Sequence, residues 1–504
     1  MPDVNPLYDH LFGRHAGSDV TFLHLPDEAL SYSAFLARAA GFAHALSRLG
    51  LAPGDRVAVQ LDKSAGMLAV YAACVQAGLV FLPLNTAYTP AEVDYFLGDS
   101  GARLFLTPTR AAGELGTLAA RHGAAHGTLD SDGGGSLGDL ARSQPRTFPT
   151  VPRARDDLAA ILYTSGTTGR SKGAMLSQQN LLSNAETLAG LWRFSASDVL
   201  LHALPLFHTH GLFVATNVTL RAGGAMVLLP KFDLDALLGW MPRATALMGV
   251  PTFYTRLLAD ERFTAERASG MRLFVSGSAP LLAETHRAFE ARTGHRILER
   301  YGMTETNMSC SNPYDGERRP GTVGPPLPGV EARVCDEAGT ELARGETGVL
   351  EVRGPNVFRG YWQMPEKTAA ELRPDGWFIT GDLATMSDDG YVTIVGRAKD
   401  LVISGGLNVY PKEVEEALDA LPGVGESAVI GVPHPDLGEA VVAVIAHGPG
   451  PAPDADALAD ALAGRLARFK QPRRYLFVEA LPRNTMGKVQ KAALRAEHAG
   501  LFAP

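Results

Sequence analysis

Residues 56–83 read Arg56-Val-Ala-Val-Gln-Leu61, Asp62-Lys-Ser64, Ala65-Gly-Met-Leu-Ala-Val-Tyr-Ala-Ala-Cys-Val-Gln76, Ala77-Gly78 and Leu79-Val-Phe-Leu-Pro83. Two short apolar runs of strand length flank a segment of about three helical turns. The alternation continues with a helix expected over 90–97 and a strand over 103–107. Strands separated by helical segments make βαβ units, so this stretch predicts a parallel sheet covered by helices.

Outward from there, Ser177 is placed to cap a helix over Gln178–Leu191, and strands are expected at 227–229, 246–250 and 273–275. A second doubly wound sheet is the economical reading. Ligands of open α/β sheets sit beyond the carboxyl ends of the strands, and the polar stretches 164–173, 276–280 and 301–306 fall there. Past residue 320 the texture changes to short strands and turns, expected at 321–329, 331–335, 348–353 and 390–395, which reads as a small β-rich subdomain. About a hundred residues of mixed strand and helix follow, with amphipathic helices expected over 412–421 and 455–467. The predicted fold is α/β: an N-terminal domain over 1–398, with two doubly wound sheets and the β-rich subdomain, and a smaller, mobile α+β domain over 399–504. Residues 130–138, rich in Gly and Asp, are expected to form a mobile surface connection.

Composition narrows the function. The 504 residues are 46% hydrophobic and 20% charged, with a net charge of −8 and a pI near 6.0, an ordinary globular composition. That charge argues against a nucleic-acid surface, which needs a concentrated basic field. Cys74, Cys310 and Cys335 are odd in number and far apart, so they suggest neither a disulfide framework nor a metal cluster. No signal-peptide core and no run of about 18 apolar residues is present, so a cytoplasmic protein without a membrane partner is expected.

Tyr163-Thr-Ser-Gly-Thr-Thr-Gly-Arg-Ser-Lys-Gly173 directly follows an apolar run and is built to hold phosphate. Its glycines let the backbone approach an anion, its hydroxyls and N–H groups donate, and Lys172 brings a charge. The spacing is not that of GxxxxGK[ST], because Gly173 follows the lysine where that motif has a hydroxyl for Mg²⁺.

This loop resembles the phosphate signature of the adenylate-forming superfamily: acyl-CoA synthetases, luciferases and peptide-synthetase adenylation domains. The resemblance implies that Thr164, Ser165, Gly166, Thr167, Thr168, Gly169 and Lys172 hold ATP. Gly277, Ser278 and Ala279 in Ser276-Gly-Ser-Ala-Pro280 would meet adenine and ribose. In Tyr301-Gly-Met-Thr-Glu-Thr306 it places Tyr301 on adenine with Gly302 and Met303 beside it, Thr304 on the α-phosphate, and Glu305 on Mg²⁺. Asp382 would accept the ribose hydroxyls, complemented by Arg397. Lys399 takes the position of a domain hinge, Lys488 that of the catalytic lysine, and Ser404, Gly405 and Gly406 line the pantetheine tunnel after rotation. Seven such motifs run in family order from 163 to 488, so the resemblance spans essentially the whole chain.

The acid is read from Arg300, the residue before the motif tyrosine, where the resemblance has a side chain facing the acyl pocket. A buried guanidinium needs an anionic partner, and its fork suits a carboxylate. His208, Thr209 and His210 make the pocket polar and narrow, and Met308 closes it. His208 is also placed near the reacting carboxylate by the resemblance. His202, His208 and His210 lack the acid or cysteine of a metal site. Arg300 paired with Glu299, and Arg287 as a rival ligand, remain alternatives. Together Glu299 to Met308 and Phe207 to Gly211 resemble malonyl-CoA synthetases, implying malonate, ATP and coenzyme A as substrates, Mg²⁺ as cofactor, and a monomer or weak homo-oligomer. Another short or aromatic acid, or loading of a carrier protein, are the rival functions.

Overall fold

The computed structural model describes residues 4–26, 28–164, 171–404, 407–448, 453–463, 465–466, 468–484 and 487–502. Among them the strands form four sheets. The segment 56–83 does what its pattern demands: Arg56–Val59 and Val80–Pro83 pair in parallel across the helix Ala65–Gln76. That helix is apolar on every side and all of it is buried, as a helix packed between two layers must be. Its Tyr71 ring meets Phe81 of the strand Val80–Pro83 and Phe213 of the helical segment 210–216 that follows the second sheet's strand Val199–His202, so one continuous core joins the two halves.

The first sheet has six strands in the order Ala125–Thr128, Leu104–Thr107, Arg56–Val59, Val80–Pro83, Leu158–Thr164 and Lys172–Ser177. Its last two strands are antiparallel, so the phosphate loop joins the arms of a hairpin. Ser177 then caps Gln178–Leu191, exchanging hydrogen bonds with Asn180 in a capping box. The second sheet has eight strands, with Val199–His202, Ala246–Gly249, Leu273–Ser276 and Leu298–Met303 in parallel at its heart, and Asn307–Ser311 antiparallel at one edge.

The β-rich part is a four-stranded antiparallel sheet of Glu331–Cys335, Gly348–Arg353, Phe378–Met386 and Val392–Arg397. The stretch 321–329 lies on the turn side of the expected mixture of short strands and turns: Gly324 and Pro326 make isolated bridges to Val392 and Cys310. Pro325, Pro326 and Pro328 lack the N–H a ladder requires. Residues 130–138 start at the surface as expected, with Ser131 and Asp132 exposed in a turn, and then pack inward. Leu137 and Gly138 are buried, Ser136–Arg142 is helical, and a Cβ on Gly138 would overlap the Gly133 carbonyl. The C-terminal part carries a five-stranded sheet with the helices Pro411–Asp419 and Ala455–Ala463 in the core on one face and Lys491–Glu497 in that on the other. No described helix is long and apolar enough to cross a membrane.

Candidate active site

The end at which the acid is expected lies where Leu298–Met303 and Leu273–Ser276 run side by side. Strand alternation sends Glu299 and Arg300 to opposite faces. Glu299 is taken by His286 Nδ1 and the Gly321 amide, each at 3.3 Å, so it does not neutralise its neighbour. Arg300 is 3% exposed, and its Nε and Nη2 are buried without a hydrogen-bond partner. Burial lowers its pKa to about 9, with the nearby Tyr254 hydroxyl acting in the other direction, and it stays cationic at neutral pH. Gly277 makes the room: a Cβ there would overlap the guanidinium. Arg287, the rival, is exposed on its helix.

The opposite wall is the segment His208-Thr209-His210, which leads into a π-helix over His210–Thr216. His208 is pushed down to about 4 by burial and by the charges of Arg300 and Lys488, so its imidazole is neutral at physiological pH. His210 is held well below its ordinary value by burial and by Arg300. Its Nδ1 lies 3.2 Å from Ser278 Oγ, and its Nε2 is buried without a partner. Thr209 donates to Asn307 Oδ1 at 2.6 Å. Met308 is buried beside it, its backbone held by Asn184 and Asn356. The structure thus brings His208, His210, Arg300 and Lys488 within electrostatic reach of one another.

At the nucleotide end, Glu305 is 4% exposed, burial raises its pKa, and it accepts from the Tyr361 hydroxyl at 2.9 Å. That hydroxyl also meets Glu371 at 2.6 Å, and Lys172 donates to it at 3.1 Å while pairing with Glu371 at 3.3 Å. Tyr301 donates to Asp382 at 2.5 Å, and Arg397 pairs with the same carboxylate at 2.8 Å. Gly302, Met303 and Thr304 continue the strand and turn, half-buried. Gly277 is buried, Ser278 and Ala279 are half-buried, and Ser278 adopts φ +71°. Thr164 and Lys172 stand at the facing ends of the phosphate hairpin. Ser165, Gly166, Thr167, Thr168 and Gly169 lie outside the described residues, as do Gly405 and Gly406 of the tunnel stretch.

From the C-terminal part, Lys488 reaches the cleft on a turn in which Gly487 takes φ +75° and Asn484 accepts the Lys488 amide at 3.0 Å. Burial and the cations Arg397 and Lys399 lower its pKa to about 8, against Asp382 and Asp400. Lys399 sits in the short 3-10 turn Ala398–Asp400, its pKa lowered by burial and Arg397. Ser404 is buried in the strand Val402–Ser404, which pairs with Leu407–Val409. Sequence reasoning missed Tyr361, Glu371 and Asn307. Gly360-Tyr-Trp362 carries no chemical signature of its own, whereas Asn307 lay inside the quoted motif and its φ of +49° is a feature that asparagine tolerates.

No group of three or more His, Cys, Asp or Glu able to hold a metal occurs among the described residues. Buried Glu305, with Glu371 across the Tyr361 hydroxyl, would fit a cation shared with a nucleotide, since Mg²⁺ takes one or two carboxylates and completes its shell with phosphates and water.

Residues 13–362 match the family described as AMP-binding enzyme, and residues 413–488 match the AMP-binding enzyme C-terminal domain. The crystal structure of ATP-bound MatB from Rhodopseudomonas palustris is similar at a TM-score of 0.98 and 56% identity, covering 99% of this chain and 100% of that one. Among relatives, the feruloyl-CoA synthase of an Amycolatopsis species is 38% identical, covering 93% of this chain and 94% of the relative. The mitochondrial malonate–CoA ligase ACSF3 of Mus musculus is 35% identical, covering 96% of this chain and 87% of the relative. With one family model matched over residues 13–362 and its C-terminal companion over 413–488, the chain belongs to the AMP-binding enzyme family.

Proposed function

We propose that the protein joins malonate to coenzyme A at the expense of ATP, through malonyl-AMP. The observation that carries the choice of acid is Arg300, a buried guanidinium with unpartnered donors and no carboxylate bonded to it among the described residues. Relatives named for ferulate and for malonate are almost equally similar, so the pocket must decide. An aromatic acid would leave the cation stranded, at a cost of several kcal/mol. The far carboxylate of a short diacid satisfies it bidentately.

Chemistry follows from the placement. One malonate carboxylate oxygen attacks the α-phosphorus, a P–O bond forms, the α–β bridge breaks, and pyrophosphate leaves with the electron pair. Lys488 sits where it can hold the incoming carboxylate and the α-phosphate oxygens together, stabilising the charge that builds on phosphorus. His208, neutral, packs beside that carboxylate without competing for a proton. Glu305 fits Mg²⁺ held jointly with ATP's phosphates, where the ion would screen their charge. Tyr301, Asp382 and Arg397 would seat adenosine, with the phosphate loop from Thr164 to Lys172 on the triphosphate. In the second half-reaction the coenzyme A thiolate attacks the acyl carbon, a C–S bond forms and AMP departs. That step needs a tunnel where Lys488 now lies, so we assign Lys399 as the pivot of a domain rotation that withdraws Lys488 and brings in Ser404 to Gly406.

Pyrophosphate release measured with malonate, methylmalonate, acetate, butyrate and ferulate tests the acid. Malonate should lead, and butyrate or ferulate outrunning it would overturn the reading. Arg300→Leu should lower kcat/KM for malonate by about 3–5 kcal/mol, the usual cost of removing one partner of a buried charge pair, while butyrate loses far less.

A further inference from the structure

The acid pocket's wall is held from behind by Lys63, at the end of the first sheet's strand Arg56–Val59 and ahead of the helix Ala65–Gln76. Its ammonium donates to His202 Nδ1 at 2.9 Å, to the His202 carbonyl at 2.7 Å and to the Leu204 carbonyl at 2.7 Å. Three donors meet three acceptors, and no carboxylate bonds to this lysine among the described residues. Because His202 Nδ1 accepts from Lys63, its Nε2 carries the proton and donates to the Gly211 carbonyl at 2.8 Å.

Gly211 O also accepts from Thr216 Oγ1 at 2.9 Å, five residues on. Two side chains thereby compete for a carbonyl that an α-helix would use for the amide four residues later. This gives a physical reason for the π-helix His210–Thr216, a rare element that needs a local cause. Gly211 cannot be larger, since a Cβ would overlap the Pro205 carbonyl. The π-turn decides where His210 and, just ahead of it, Thr209 and His208 face the pocket opposite Arg300.

We infer that Lys63 is a positioning residue for the acid: acting through His202 and Gly211, it sets the π-helical wall that fits a short diacid. The inference rests on malonate being the substrate. It concerns binding of the acid and not of ATP, because none of the three contacts reaches the nucleotide end.

The test is the full-length enzyme with Lys63→Met and with Thr216→Val, which removes one bond to Gly211 O while keeping the shape. KM for malonate should rise about tenfold in Lys63→Met and in the same direction in Thr216→Val, with KM for ATP within about twofold of wild type. The double variant should be scarcely worse than Lys63→Met, because both act on one carbonyl. An unchanged malonate KM in the folded variants would overturn the inference. So would malonate and ATP KM rising by one factor, which is what general loosening produces. Should Lys63→Met not fold, Thr216→Val alone decides. A wild-type enzyme that ignores malonate would instead sink the functional reading, and is seen before any variant is made.

Discussion

At the residue scale, three titrating groups in one cleft are separated by their surroundings. Lys488 loses its charge as pH rises through about 8, Arg300 only near 9, and His208 is already neutral above about 4. The lowered pKa of Lys488 means that it is mostly charged at neutrality, half charged near pH 8 and neutral well above it. Acid-dependent pyrophosphate release, followed as kcat/KM so that the free enzyme is reported, should therefore be near its maximum at neutrality, fall about tenfold per pH unit above 8, and fall more steeply above 9, where Arg300 also loses its charge. No acid limb near pH 6 should arise from His208. A profile level to pH 10 would contradict the assignment of Lys488 to adenylation.

At the scale of elements, the hairpin of Leu298–Met303 and Asn307–Ser311 carries Arg300, Tyr301, Glu305 and Met308 to their posts. Its register shifts between Tyr301 and Gly302, and Asn307 turns at φ +49°. Gly302 lies so close to the Asn307 carbonyl that a Cβ would overlap it. Backbone cannot step aside as a side-chain tip can, so Gly302→Ala should cost about 2–3 kcal/mol of unfolding free energy in urea. A loss within 0.5 kcal/mol, roughly the ordinary surface value, would refute that. The motif around Tyr301 was legible because its chemistry is local, and the helix Ala65–Gln76 because apolar residues fill it end to end. The hairpin was not foreseen, since Asn307 and Gly302 answer to each other across a tight turn. Tyr361 and Glu371 escaped for a related reason: they reach Lys172 and Glu305 only through the tertiary fold. The 321–329 stretch, read with its neighbours as part of a run of short strands and turns, falls on the turn side because its prolines withhold the N–H groups of a ladder.

At the scale of the whole molecule, the C-terminal part lies against the large one with Gly487 beside Thr252: a Cβ on Gly487 would stand 3.6 Å from Thr252 Oγ1 and 3.8 Å from its Cγ2. That is within reach of a cross-link. Thr252→Cys with Gly487→Cys, once oxidised, should retain malonyl-AMP formation and lose malonyl-CoA formation, with reductant restoring it. The native Cys74, Cys310 and Cys335 are buried and do not compete. Thioester formation at full rate in the oxidised protein would remove the need for rotation. The seat of Arg300 over Gly277 has a consequence of its own. The cation occupies a hollow left by the missing side chain of Gly277, so under the function proposed above, selectivity for two-headed acids is stored in one movable tenant of a standing room. Replacing that tenant with a short apolar side chain would leave floor space for a hydrocarbon tail, so descendants of this chain could trade diacids for longer monoacids without rebuilding a strand.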